Sequence, residues 1–265
     1  MSIDNIQNID LAQIKYLHEQ SLAEGKQSFT KGKKDISWCT IAISCAAQGR
    51  LDCLKYLHEQ NLAEGKKNCP WDERAFKSAI KGDHLDCLKY LHEQSLIEAK
   101  QSLPESEQSL AEGENWRFWD EYLCVWAAKG HLECLKYLHE NDCPWDINIC
   151  MYGAVRGHLD CLKYLHEQSL AESEQSASED KQRSTEGKQS STNSVPWDES
   201  IFETAIRGYD GYYSEKSFWG GKDQKYINKC HLECVKYLYK NGCPCNYRCM
   251  EYVKNVPELL ACFEK

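Results

Sequence analysis

The sequence predicts an all-α chain assembled from repeated helix pairs, and three observations carry that expectation. A short phrase returns along the chain: IKYLHE at Ile14–Glu19, LKYLHE at Leu54–Glu59, Leu88–Glu93, Leu135–Glu140 and Leu162–Glu167, and VKYLYK at Val235–Lys240. Internal repetition of this kind marks stacked supersecondary units. Apolar residues around each phrase recur at helical spacing: in His131–Asp146, HLECLKYLHENDCPWD, Leu132, Leu135 and Leu138 share a face that Cys134 and Tyr137 widen, while Lys136 and Glu140 point elsewhere. The punctuation is regular too. A Gly turn stands before the copies at Leu54, Leu88, Leu135 and Leu162, and Pro-Trp-Asp opens the next helix at residues 70–72, 144–146 and 196–198, the proline stopping one helix and Asp146 offering an N-cap to the next. A helix of about ten residues is unstable alone. Neighbouring copies must therefore supply the core by stacking, and the expected architecture is a helix-pair solenoid.

Taken in order, residues 10–20 form a half-repeat, the second helix of a pair. The pairs then occupy residues 36–60, 69–94, 116–142, 143–168 and 195–242, and residues 243–265 form a terminal cap. Between His131 and His158 nothing is inserted, and the period there is 27 residues, one small helix pair with its turns. Elsewhere low-complexity insertions occupy residues 21–35, 61–68, 95–115 and 169–194, built on SLAEGKQ-like words and too poor in aromatics to order themselves fully, with a helical start expected for the first and the last. Residues 209–230 are an insertion of another kind. They interrupt the Gly turn inside a pair and carry six aromatics: Tyr209, Tyr212, Tyr213, Phe218, Trp219 and Tyr226.

The stretch Ala127–Leu138, AAKGHLECLKYL, resembles the ankyrin repeat, in the shortened form with a Cys-Pro-Trp-Asp turn that is common in large DNA viruses and some protists. The resemblance recurs with every copy. It implies stacked helix pairs that bind a protein partner. The TPLH motif of the first ankyrin helix is missing, and Cys-Pro-Trp-Asp stands where a projecting β-finger would be, so little or no strand is expected.

The totals narrow the function. A net charge of −9 with 28% charged residues disfavours a phosphate-binding surface, and hence nucleic acid. No apolar run is long enough to span a membrane, and the first residues lack a signal peptide's charged and apolar regions. The expected location is intracellular and cytoplasmic, the host cytoplasm if the chain is viral. Of the 16 cysteines, Cys53, Cys87, Cys134, Cys161 and Cys234 share one helical address, and Cys69, Cys143 and Cys243 open the turn, which reads as packing by reduced thiols. Cys230, His231, Cys234, Cys243, Cys245 and Cys249 are the densest cluster and support a competing reading, a metal-binding or redox protein, although no CxxC pair is present. His84, His131, His158 and His231 start second helices, and His18, His58, His92, His139 and His166 lie near their ends, at spacings set by the repeat. These read as caps and solvated ends. No nucleophile elbow or glycine-rich phosphate loop occurs. No catalytic residue, metal ligand or cofactor site is expected.

A binding face is sought where copies differ. First helices aligned on Ala79, Ala127, Ala154 and Ala205 place Phe76, Cys124, Met151 and Phe202 at a buried position. Three other positions vary: Ser78, Trp126, Gly153 and Thr204; Glu73, Glu121, Asn148 and Glu199; Arg74, Tyr122, Ile149 and Ser200. From these come the partner-binding candidates Glu73, Arg74, Tyr122, Trp126, Asn148 and Glu199, joined by Tyr212, Tyr213 and Trp219 of the aromatic insertion. Tryptophans Trp71, Trp145 and Trp197 are expected to wedge between copies. The expected function is a non-catalytic, monomeric protein-interaction scaffold. By resemblance alone, a third reading is the substrate-recruiting part of a ubiquitin-ligase adaptor.

Overall fold

The computed structural model describes residues 9–23, 29–31, 34–65, 70–102, 121–145, 148–180, 197, 199–209 and 224–263. It is all-α apart from one short hairpin. Helix α1 (Leu11–Ala23) opens with a reciprocal cap: Asp10 Oδ1 accepts from the Gln13 N–H at 2.8 Å, and the Gln13 side chain accepts from the Asp10 N–H at 3.2 Å. Strands β1 (Phe29–Lys31) and β2 (Lys34–Ile36) then pair antiparallel, Phe29 opposite Ile36. That hairpin corrects the expectation of a structureless polar stretch at residues 21–35. Phe29, Thr30 and Ile36 are strand formers flanking a Gly-bearing connection, a signal diluted by the surrounding lysines.

Helix α2 (Trp38–Ala47) is capped by Ser37, whose Oγ accepts from the Thr40 N–H, and α4 (Glu73–Lys81) by Asp72, whose carboxylate accepts from the Arg74 N–H. Their partners are α3 (Leu51–Ala63) and α5 (Leu85–Ser102), followed by α6 (Glu121–Ala128) and α7 (Leu132–Glu140). Next come α8 (Asn148–Val155), α9 (Leu159–Asp180), α10 (Glu199–Tyr209), α11 (Gln224–Lys240), α12 (Tyr247–Lys254) and α13 (Pro257–Phe263). The equivalent caps at Asp146 and Asp198 lie outside the described residues.

The chain divides into two compact units, residues 1–127 with 133–144 and residues 128–132 with 145–265. In the first, α2 packs on α4 and α3 on α5, while each first helix also packs on its own partner, and α1 joins α3. In the second, α8 packs on α10 and α9 on α11, and α12 and α13 close against α10 and α11. Phe263 of α13 meets Tyr239 with ring centres 4.0 Å apart. The repeated phrase supplies the core. Leu54, Leu57, Leu88, Leu91, Leu135, Leu138, Leu162, Leu165, Val235 and Leu238 are all fully buried.

Helices α1, α3, α5 and α9 run past Gln20, Gln60, Gln94 and Gln168 into the stretches expected to be insertions. The first residue of each stretch, Ser21, Asn61, Ser95 or Ser169, is buried one turn beyond the histidine. The words that follow are good helix formers with no Gly or Pro for several residues, so the helix continues. The remaining parts of these insertions, and residues 210–223 of the aromatic one, lie outside the described residues.

First helices end in a shared motif. The His84 N–H reaches the Ala79 carbonyl (2.9 Å) and the Asp83 N–H that of Ile80 (2.9 Å), with Asp83 left-handed at φ 58°. In α8 the His158 N–H reaches Gly153 (3.0 Å) and the Gly157 N–H reaches Ala154 (3.1 Å), with Gly157 at φ 69°. Gly153, not Ala154, is therefore the counterpart of Ala79. Gly157 is accordingly the counterpart of left-handed Asp83 and not of Gly82, so an alignment of α8 on Ala154 is one residue out. Ile149 matches buried Ala75 and is itself buried, correcting its place beside Arg74 and Tyr122. Asn148 takes that place instead, and Tyr152 matches Ser78.

Candidate functional site

The histidines are occupied in joining copies. His18, His58, His92 and His166 each lie 2.9–3.0 Å through Nδ1 from the hydroxyl of the tyrosine one copy on: Tyr56, Tyr90, Tyr137 and Tyr237. The tryptophan of the intervening turn stacks beside them, with Trp71 5.2 Å from His58 and 5.9 Å from Tyr90, and Trp197 3.8 Å from His166 and 6.0 Å from Tyr237. Trp71 also donates its indole N–H to Ser95. From the other side a lysine covers the same tyrosine: Lys15 over Tyr56, Lys55 over Tyr90, Lys89 over Tyr137 and Lys163 over Tyr237, each within 6 Å. His18 and His92 are buried, so they are not the solvated ends expected from sequence. Burial drives the His92 pKa down to about 4 and lowers those of His58 and His166, so at neutral pH His92 is an uncharged imidazole bonded through Nδ1 to the Tyr137 hydroxyl.

Histidines at the starts of second helices pack on the Gly turn of the previous copy. A Cβ on Gly49 would stand 2.5 Å from His84, and one on Gly130 2.5 Å from His158. Nε2 of His231 donates to the Val155 carbonyl at 2.8 Å. The ladder also accounts for the odd copy. Tyr239 replaces histidine in VKYLYK, and instead of a further tyrosine it meets the cap residue Phe263.

Cys53, Cys87, Cys134, Cys161 and Cys234 are buried and free of disulfides. Burial raises Cys87 to about 11 and, with the Asp83 carboxylate adding, Cys134 to about 12. In the C-terminal cluster burial raises Cys234 and Cys249, and burial with Cys249 beside it raises Cys245 to about 12. Burial thus holds these thiols above their ordinary range, while the hydrogen bond from Cys45 lowers Cys53. Among the described residues no group of three or more His, Cys, Asp or Glu side chains is placed to hold a metal ion. No described helix is long and apolar enough to cross a membrane.

That leaves the outer surface of the first helices. Glu73 and Arg74 are exposed at the start of α4, and the Arg74 guanidinium pairs with the Asp72 cap at 2.7 Å. Tyr122 is 62% exposed, and one turn on Trp126 is half-buried. Lys77 and Lys81 of α4 stand over the Trp126 ring, 4.7 Å and 4.0 Å from its centre. Burial, then the neighbouring Lys77 charge, lowers the Lys81 pKa. Arg74, Lys77, Lys81, Tyr122 and Trp126 are thus brought to one face of the first unit. In the second unit Glu199 is exposed, and Glu203 pairs with Arg207 one turn along α10. Asn148 starts α8, but its side chain is outside the described residues, as are Tyr212, Tyr213 and Trp219. Sequence reasoning missed Tyr152, which lies under Lys129 at 5.1 Å, as Trp126 lies under Lys81. No family model, curated protein or solved structure matches this chain.

Proposed function

We propose that the chain is a non-catalytic scaffold, an array of shortened ankyrin-like helix pairs that binds a partner protein through the outer face of its first helices and acts as an intracellular monomer. The carrying observation is the division of labour within a pair. Second-helix side chains are taken up by the core and by His–Tyr–Trp contacts between copies, whereas one first-helix address holds Trp126 in one copy and Tyr152 in another, each under a lysine of the preceding copy. Aromatics partly open to solvent at variable positions of a rigid frame, with exposed Tyr122 beside Trp126, are what binding surfaces select. The frame offers recognition and no reactive group, since its raised thiols and buried histidines are structural.

The test is capture by immobilised protein from a lysate, comparing wild type with a Tyr122→Ser/Trp126→Ser variant. A specific protein retained by wild type and lost by the variant, with the melting temperature within a few degrees, is the expected result. Equal retention by both would move binding to another surface.

A further inference from the structure

Trp126 is covered from one side by two ammonium groups of the same helix, Lys77 and Lys81, four residues apart. Like charges at that spacing repel. Neither lysine has an ion pair with a carboxylate among the described residues, in a chain whose net charge is −9. The other lysines set over aromatic rings of second helices act at buried joints between copies, but this pair sits on an exposed rim beside Tyr122, which is 62% exposed. An anion bridging Lys77 and Lys81 would relieve their repulsion and gain two charge-assisted hydrogen bonds. The indole holds both ammonium groups in place beforehand, which lowers the ordering cost of binding.

Resting on the scaffold reading, we infer that the Lys77–Lys81–Trp126–Tyr122 patch of α4 and α6 docks an acidic peptide segment of a partner, its carboxylates bridging the two lysines and a neighbouring apolar side chain lying on Tyr122. Tyr122 and Trp126 are one helical turn apart, so the apolar and acidic positions of the ligand are separated by about 6 Å. A peptide fits better than a polyanionic nucleic acid. Exposed Glu73 lies on the same helix, and the surplus negative charge of the chain repels a long phosphate backbone while tolerating a short run of carboxylates.

The experiment is fluorescence anisotropy of the full chain with a labelled peptide carrying a leucine followed by a Glu-Glu-Asp-Glu run, against the same peptide with Gln-Gln-Asn-Gln. Binding of the acidic peptide, weakening as salt rises, and a loss of about tenfold or more in Lys77→Gln/Lys81→Gln are expected. Lys136→Gln, whose lysine is paired with Glu133 on a second helix, should bind like wild type. The inference is overturned if no binding appears up to about 1 mM peptide, if the neutral peptide binds equally, if the double lysine variant is unaffected, or if heparin binds more tightly than the peptide. A captured partner lost by Tyr122→Ser/Trp126→Ser but kept by Lys77→Gln/Lys81→Gln would leave the scaffold standing and remove the acidic ligand alone.

Discussion

The second helices α3, α5, α7, α9 and α11 are near copies of one another, whereas the first helices α2, α4, α6, α8 and α10 share little beyond an apolar inner side. The contrast follows from what each touches. In the first unit α5 receives His58 of the copy before on Tyr90 and offers His92 to Tyr137 of the copy after. The lysine, tyrosine and histidine of LKYLHE therefore answer to neighbouring copies. The first helix α4 buries Ala75, Phe76, Ala79 and Ile80 and leaves Glu73, Arg74, Ser78 and Lys81 with less to do. Repetition marks where copy meets copy, and variation marks where the chain can meet something else.

The sharpest way to break that contrast is to truncate one leucine of the frame. Leu88→Ala or Leu135→Ala removes a fully buried side chain and should cost roughly 2–5 kcal/mol in urea unfolding. Trp126→Ala on the variable face should cost less than either, because its indole is half in solvent. Equal losses would mean that α6 uses Trp126 as core.

Next in size is acid. His92 has its folded pKa lowered to about 4 by burial, against an unfolded value near 6.5, so the unfolded chain binds the proton more readily between those values. Stability contributed by neutral His92 is present above about pH 6.5 and is lost as pH falls toward about 4, by up to about 3 kcal/mol. Tyr137 works in the opposite direction. Burial, with Glu93 adding, raises it to about 12, so stability should fall as pH rises from about 10 to 12. Tyr137→Phe should cost about 1–3 kcal/mol by stranding the buried His92 nitrogen. A denaturation series from pH 4 to 7 checks the first claim, and a flat profile would mean that water reaches the ring.

Much of the frame was legible because its period is set by contacts that recur. The helix pairs, the buried leucines and cysteines, and the wedged Trp71 all follow from the repeat. What escaped was anything set by a single count or a single partner. Gly157 looks like the partner of Gly82, but its hydrogen bonds and left-handed φ put it opposite Asp83, which leaves Tyr152 exposed and Ile149 buried. The extensions of α3 and α5 escaped because Ser95 looks like the start of a polar loop until Trp71 is seen donating to it. The histidines were read as ends because their tyrosine partners lie 32–71 residues away in sequence.

Two glycines sharpen the comparison between joint and surface. Gly49 and Gly65 are both left-handed, at φ 69° and 75°, but a Cβ on Gly49 would overlap His84 of the next copy whereas one on Gly65 would meet nothing within 4 Å. Gly65→Ala should therefore cost only backbone strain, about 1 kcal/mol. Gly49→Ala should cost clearly more, because the imidazole must be displaced from the joint as well. Thermal melts of the two variants measure the difference, and equal shifts would show that the His84 contact is slack.

The smallest expected effect runs the other way, toward greater stability, and it falls on the left-handed residue at the end of α4. Asp83 holds a left-handed φ of 58° where other copies place glycine, such as Gly49 and Gly157. Aspartate tolerates that conformation better than most side chains but not as freely as glycine. Its carboxylate also lies just beyond the C-terminus of α4, where the helix dipole is negative and a second negative charge is unfavourable. The Cys134 thiol donates to this carboxylate over a long 3.9 Å. Asp83→Asn keeps the left-handed preference and removes the charge, so it should stabilise by about 0.3–1 kcal/mol, most at low salt. Asp83→Gly removes both the charge and the strain but lets the unfolded chain roam more widely, so its gain should be similar. A chemical-denaturation series at two salt concentrations separates the two effects. If Asp83→Asn is instead destabilising, the carboxylate is anchoring the Cys134 thiol, and the second helix α7 depends on a charge in the turn before α5.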